Sequence, residues 1–164
     1  MEPLTESTIR ASLVNCTRGE ATRLALPRDL VEQPWEHLDY LGWRDPRAPA
    51  RGCLVAPTEH GPVGIVLRAG SAAGAAGRRN LCSLCLTAHT GGVNLMVAPR
   101  AGRRGSDGNS VGTYICADLA CSLYVRGRRR PAVVGLPETL GVEQRVARLQ
   151  ENLASFVRRV TEAA

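Results

Sequence analysis

The chain has 164 residues, is 44% apolar and carries a formal net charge of +6, enough to bury the core of one domain and ordinary for a globular protein. No run approaches the roughly 18 apolar residues of a membrane helix, and M-E-P-L-T-E-S-T opens acidic and polar, without the basic and apolar regions of a secretory leader, so the cytoplasm, where thiols stay reduced, is the expected compartment. All 21 basic residues are arginine, which excludes Schiff-base lysine chemistry and a P-loop lysine.

Thr5 suits a helix cap, with Ile9, Leu13 and Val14 on the buried side. A second helical turn follows from Glu20 to Leu26, before Pro27. Trp35, Tyr40 and Trp43 are three of the six aromatic residues, and they are expected to anchor the core of the N-terminal half. Asp45-Pro46 opens a turn-rich loop. Cys53 to Ala56 and Val63 to Leu67 read as strands of a hairpin turning at Thr58 to Gly61. The small-residue run from Ala69 to Gly77 reads as a flexible surface loop and an internal boundary.

Beyond it stand two close cysteine pairs, Cys82 and Cys85 in C-S-L-C and Cys116 and Cys121 in C-A-D-L-A-C. Val93–Val97 and Val111–Ile115 alternate as paired strands between them. The joining loop carries Arg103 and Arg104. The run after Cys116 reads as a helix ending near Gly127. Arg126 and Arg128 to Arg130 crowd its C-terminus, where cations suit the dipole. Four thiolates in two pairs around a hairpin match a closed tetrahedral structural Zn²⁺ site, which has no open position for catalysis. A redox role for Cys82 and Cys85 leaves the second pair unexplained. His89, four residues after Cys85, is an alternative ligand. Cys16 and Cys53 fall outside the pattern and read as buried small residues, and His37 and His60 read as surface residues.

Residues 142–161 read as an amphipathic helix. Val142, Val146, Leu149, Leu153, Phe156 and Val160 form its apolar stripe, with Arg145, Gln150, Glu151 and Arg158 opposite. The expected architecture is α+β: residues 1–164 as one domain, a treble-clef zinc finger embedded in a small mixed fold with N- and C-terminal helices. The zinc lobe spans about residues 78–131.

Charge is concentrated in that lobe. Residues 1–75 hold 8 arginines against 9 acids, residues 76–131 hold 9 against 2, and residues 132–164 hold 4 of each. Four thiolates with one Zn²⁺ reduce the lobe's +7 to about +5. A positive lobe attracts an acidic protein or a nucleic-acid backbone.

The runs L-C-S-L-C and G-T-Y-I-C-A-D-L-A-C, with W-E-H-L-D-Y-L-G-W-R-D-P upstream, resemble the elongation-factor-G-binding proteins related to the fusidic-acid resistance proteins. The likeness is to their C-terminal treble-clef domain and covers about residues 5 to 160. It implies zinc held by Cys82, Cys85, Cys116 and Cys121, binding to elongation factor G, and release of that factor from the ribosome. It also makes Tyr114, Arg103, Arg104, Arg128, Arg129 and Arg130 candidate contacts. The resistance proteins carry an N-terminal helical bundle for which this chain has no room.

Three functions are weighed on this basis. A monomeric module binding elongation factor G would use Tyr114, Tyr124, Leu84 and Leu86 as anchors within an arginine rim. The alternative is direct binding of ribosomal RNA through Arg103-Arg104 and Arg128 to Arg130, although only Tyr114 and Tyr124 offer stacking there. An enzyme is not expected, because no catalytic triad, phosphate loop or open metal site is visible. Asp118 reads as an acid in the first helical turn.

Overall fold

Two threonine caps organise the first residues. Thr5 Oγ1 accepts the Thr8 N–H at 3.2 Å and starts α1 (Glu6–Ser12). Thr17 and Glu20 form a reciprocal capping box that starts α2 (Arg18–Arg23), satisfying donors that a helix start leaves free. The structure is a computed structural model that describes residues 1–70, 79–131 and 138–162. Helix α1 is shorter than its apolar residues suggest. Leu13 lies past its end and bridges Gly64 in parallel. A side chain at Gly64 would collide with Ser12 Oγ and Leu13, so this close approach requires glycine.

The strands are β1 (Leu41–Arg44), β2 (Arg51–Thr58), β3 (Gly61–Ala69), β4 (Arg79–Leu81), β5 (Ala88–Thr90), β6 (Val93–Pro99) and β7 (Ser110–Cys116). The expected hairpin is β2–β3, longer than the sequence indicates, with Leu54 opposite Ile65 and Thr58 opposite Gly61. Five strands pair antiparallel in the order β1-β2-β3-β6-β7, and β4 and β5 form a separate two-stranded sheet. The short helices α3 (Arg103–Ser106) and α4 (Cys121–Val125) precede α5 (Val142–Thr161). Most of the small-residue run from Ala69 to Gly77 lies outside the described residues.

Strand alternation sends residues to two cores. Leu41, Trp43, Cys53, Val55 and Val66 pack with Ile9, Leu24 and Trp35 of the N-terminal segments. Leu54, Ile65, Leu67, Met96 and Ile115 pack with α5 and the metal-site cysteines. Trp35 and Trp43 anchor the N-terminal core as expected, but Tyr40 does not. It is fully buried in the other core, among the cysteines.

Helix α5 has the bounds its periodicity predicts. Leu149, Leu153, Phe156 and Val160 are buried, Val146 is half-buried, and Val142 faces solvent. Burying each large apolar side chain contributes about 1.5–3 kcal/mol. Val157 joins the buried face. Gln150, on the polar side, still makes a tertiary bond: its Nε2 donates to Asp39 Oδ1 at 2.9 Å.

That bond belongs to a three-way clasp. Arg126 Nη2 donates to Asp39 Oδ1 at 3.0 Å, and Arg126 Nη1 donates to Asp39 Oδ2. The Asp39 N–H donates to Ser122 Oγ at 2.9 Å. Asp39 thus ties the segment before β1 to both α4 and α5, and its carboxylate is nearly inaccessible. Arg126 is therefore a structural residue, beyond any role at the helix terminus. Removing one partner of such a pair leaves a buried charge uncompensated. Asp39→Ala should lower unfolding stability by about 3–5 kcal/mol, and Arg158→Ala, an exposed change on the same side of α5, by about 0.5 kcal/mol or less. Equilibrium denaturation of the zinc-loaded variants measures both.

Candidate metal centre

The first cysteine pair is placed by a tight turn between β4 and β5. The Cys82 N–H donates to Thr87 O and the Leu86 N–H to Cys82 O, both at 3.0 Å. Leu86 takes φ +57 to close this turn, a conformation that costs an L-residue roughly 1–2 kcal/mol. The N–H groups of Leu84 and Cys85 point at Cys82 Sγ at 3.4 and 3.5 Å, which favours its thiolate form.

The second pair stands at the end of a strand and the start of a helix, with the helix start offset as the wide spacing requires. Cys116 is the last residue of β7 and Cys121 the first residue of α4. The helix does not begin at Ala117. A turn intervenes, in which Leu119 takes φ +58 and donates to Cys116 O at 2.9 Å. This turn absorbs the four intervening residues. Asp118 therefore sits before the helix rather than in its first turn. Its Oδ1 accepts the Ala120 N–H at 3.1 Å and its Oδ2 accepts the Tyr124 hydroxyl at 2.8 Å.

All four sulfurs are buried and lie within 4.8 Å of one another. Cys82 Sγ is 3.7 Å from Cys121 Sγ, and Cys85 Sγ is 3.5 Å from Cys116 Sγ. These are not disulfides, whose sulfurs stand about 2.05 Å apart. Tetrahedral coordination at a zinc–sulfur distance of about 2.3 Å separates sulfurs by about 3.8 Å, so the cluster fits the ion. Hydrogen bonds from Cys116 and its other sulfur neighbours hold the Cys82 thiol far below its usual range. Burial pushes Cys121 well above it. Four thiolates this close require a divalent cation. The donor set is a Zn²⁺ site, and the bound ion supplies a structural cross-link between the turn and α4.

His89 is buried in β5, with Nε2 3.3 Å from Cys116 Sγ. It faces a ligand sulfur instead of replacing one. Its ring packs edge-on against Tyr124 at 4.7 Å.

The proposed partner contacts do not gather in one place. Arg103 and Arg104 sit on α3, past the Pro99 end of β6. Arg128 to Arg130 follow α4, at the metal end of β7. The seven residues of β7 separate those ends by about 20 Å. Arg129 is engaged, with Nε 3.2 Å from Asp118 Oδ2 and its guanidinium over the Tyr124 ring. Arg103, Arg104, Arg128 and Arg130 make no ion pair among the described residues. Of the apolar anchors, Leu84 is a core residue whose carbonyl accepts Asn152 Nδ2 at 2.9 Å. Tyr124 is half-buried and bonded to Asp118.

Tyr114 is 49% exposed, and Leu81 and Leu86 are exposed nearby in sequence to the cysteine turn. The Ser83 N–H donates to Tyr114 O at 2.7 Å, bringing the turn against β7. Tyr114 faces Leu95 across the ladder, and Gly112 faces Val97. Register places these residues on the same sheet side as Arg68 and Val66, where α1 packs against β3. The sequence does not reveal that Leu95 and Val97 are only half-buried, because a strand alternates in the same way whether its outer face is fully or partly covered.

A cleft of about 830 Å³ lies elsewhere, between α5 and the turn end of β2–β3. Leu38, Ala56, Leu153 and Val157 line it, and the Asp39–Arg126–Gln150 clasp forms its polar wall.

Thiol accessibility tests the centre. Burial pushes the Cys53 thiol up to about 12 and also raises the half-exposed Cys16, so only Cys16 should react slowly with an alkylating reagent in the zinc-loaded protein. Chelation should make Cys82, Cys85, Cys116 and Cys121 reactive together, read as added labels by intact mass. Labelling unchanged by chelation would count against metal ligation.

No helix among the described residues is long and apolar enough to cross a membrane. No curated protein and no solved structure matches the chain significantly. A family model, the FBP C-terminal treble-clef zinc-finger, matches residues 8–160. With the turn–hairpin–helix placement of four buried cysteines, that match establishes that this chain belongs to the FBP C-terminal treble-clef zinc-finger family.

Proposed function

We propose that the protein is a non-catalytic, zinc-stabilised module that binds elongation factor G and promotes its release from the ribosome. The match over residues 8–160 carries this reading. The site chemistry is consistent with it, since a closed four-cysteine centre leaves no coordination position for a substrate. The contact surface is the outer face of β6 and β7 around the exposed Tyr114 and the half-buried Leu95 and Val97, together with Leu81 and Leu86 beside the cysteine turn. An exposed tyrosine within an apolar patch suits the centre of an interface. Arg103 and Arg104 flank it at one end and Arg128 and Arg130 at the other, where they speed encounter with an acidic surface. Release follows from differential binding: the module favours a conformation of the factor that fits the ribosome less well.

The four arginines that make no ion pair among the described residues also support a second reading, direct contact with ribosomal RNA. Titration calorimetry of the zinc-loaded protein into elongation factor G, at about physiological salt, separates the two. Saturable one-to-one binding supports the first. No heat and no co-elution, with RNA binding that weakens steeply with salt, supports the second.

Tyr114→Ala should weaken binding to the factor by about tenfold or more. Its effect on unfolding stability should stay within roughly 0.5 kcal/mol, because the side chain is surface-exposed. A large stability loss with unchanged affinity would place Tyr114 in the packing and remove it from the interface.

A further inference from the structure

The segment before and into β1 runs antiparallel beside the turn that carries the second cysteine pair. The Asp39 N–H donates to Ser122 Oγ. Three positions on, Gly42 lies so close to Leu119 that an added Cβ would sit 2.7 Å from Leu119 O and 2.8 Å from the Tyr40 ring. Position 39 thus faces 122 and position 42 faces 119, which sets Tyr40 opposite Cys121. Tyr40 is 1% exposed and packs in the same core as all four cysteines. Its hydroxyl is buried without a hydrogen-bond partner of good geometry, and Cys121 is the side chain placed to bond it.

A buried hydroxyl without a partner costs about 1–3 kcal/mol and calls for an explanation. The neighbouring sulfur supplies one. A free thiol is a weak acceptor, whereas a metal-bound thiolate is an acceptor only and carries negative charge. A phenol keeps its proton at neutral pH, so Tyr40 has a hydrogen to donate. On the opposite pair of sulfurs, His89 Nε2 stands 3.3 Å from Cys116 Sγ. Against a thiolate acceptor, this nitrogen must carry the hydrogen.

We infer that Tyr40 and His89 are outer-sphere donors to the metal centre, Tyr40 to Cys121 Sγ and His89 to Cys116 Sγ, and that together they set its metal affinity. Tyr40 lies outside the cysteine-bearing lobe. The centre is therefore completed by the strand system that Asp39 clasps to α4 and α5, and metal binding is linked to the packing of the N-terminal half.

The test uses the full chain loaded with zinc or cobalt(II). Outer-sphere partners of a metal site change affinity by about 10–100-fold when removed. Tyr40→Phe, which deletes one oxygen, and His89→Phe, which keeps a ring against Tyr124, should each weaken zinc binding by about tenfold in competition with a chelator. Each should also move the thiolate-to-cobalt charge-transfer band to lower energy, because a sulfur relieved of a hydrogen bond holds its lone pair less tightly. His89→Gln, which restores an N–H donor, should recover part of both effects. A purely packing role would lower stability without moving the band.

A second readout needs no variant. In the parent protein loaded with a spin-one-half cadmium isotope, the Tyr40 hydroxyl proton should exchange slowly and show scalar coupling to the metal. Unmoved bands with affinities within about twofold of the parent, or a Tyr40 hydroxyl without coupling, would overturn the inference.

Discussion

The proximity of four sulfurs from two remote stretches of chain is the constraint on which the C-terminal half depends. Strands β4 and β5 have three residues each and α4 has five, too short for any of them to persist in water unaided. The turn at Cys82–Leu86 and the turn at Cys116–Cys121 each hold a leucine at positive φ, which is a local cost. A cation joining four thiolates offsets it, because binding energy at a site absent from the unfolded chain is folding energy. The centre is not a separate bead. Its cysteines share a core with Leu54, Ile65 and Phe156, and Asn152 of α5 bonds the turn directly at Leu84 O.

The surrounding structure reinforces that cross-link from outside the cysteine-bearing stretch. Asp39, Tyr40 and Gly42 lie along the Leu119–Ser122 turn, each meeting it by a different kind of contact: a charge-centred clasp, an aromatic ring with a buried hydroxyl, and a missing side chain. Glycine at position 42 is required by space, since backbone and side-chain atoms of Leu119 occupy the place of a Cβ. These three residues thus hold an irregular turn in a defined ligand geometry.

Much of this was legible in the sequence. The two cysteine pairs identified the ligand set because zinc sites impose short local spacings. Helix α5 was legible to its ends because an amphipathic stripe over five turns is a strong periodic signal. The β2–β3 hairpin and the β6–β7 pair were legible from alternation. The start of α4 was not. Ala117 to Ala120 suits a helix by composition, and only the demand that Cys116 and Cys121 meet across one ion breaks it there. The partners of Tyr40, Asp39 and Gln150 were also invisible, since they join residues about 80 to 110 positions apart and leave no periodic trace. Tyr40 in particular read as one more aromatic core anchor, and its polar end is what distinguishes it.

Charge was the feature whose meaning changed most. The excess of arginine between residues 76 and 131 suggested one basic rim, but the fold divides it by use. Arg126 is spent on Asp39 and Arg129 on Asp118, while Arg100 donates to the Arg159 carbonyl. Apart from Arg78, outside the described residues, and Arg79 in β4, what remains is two pairs at opposite ends of β7, about 20 Å apart. That separation exceeds the screening length of about 8 Å at physiological salt, so the pairs act as independent local fields. Two isolated pairs make a poor track for a nucleic-acid backbone, which rewards closely spaced cations. They make a better border for Tyr114 and the half-buried Leu95 opposite it, which lie between them. An apolar centre with a charged margin is the anatomy of a protein–protein contact, which favours a folded protein over RNA as the occupant of this face.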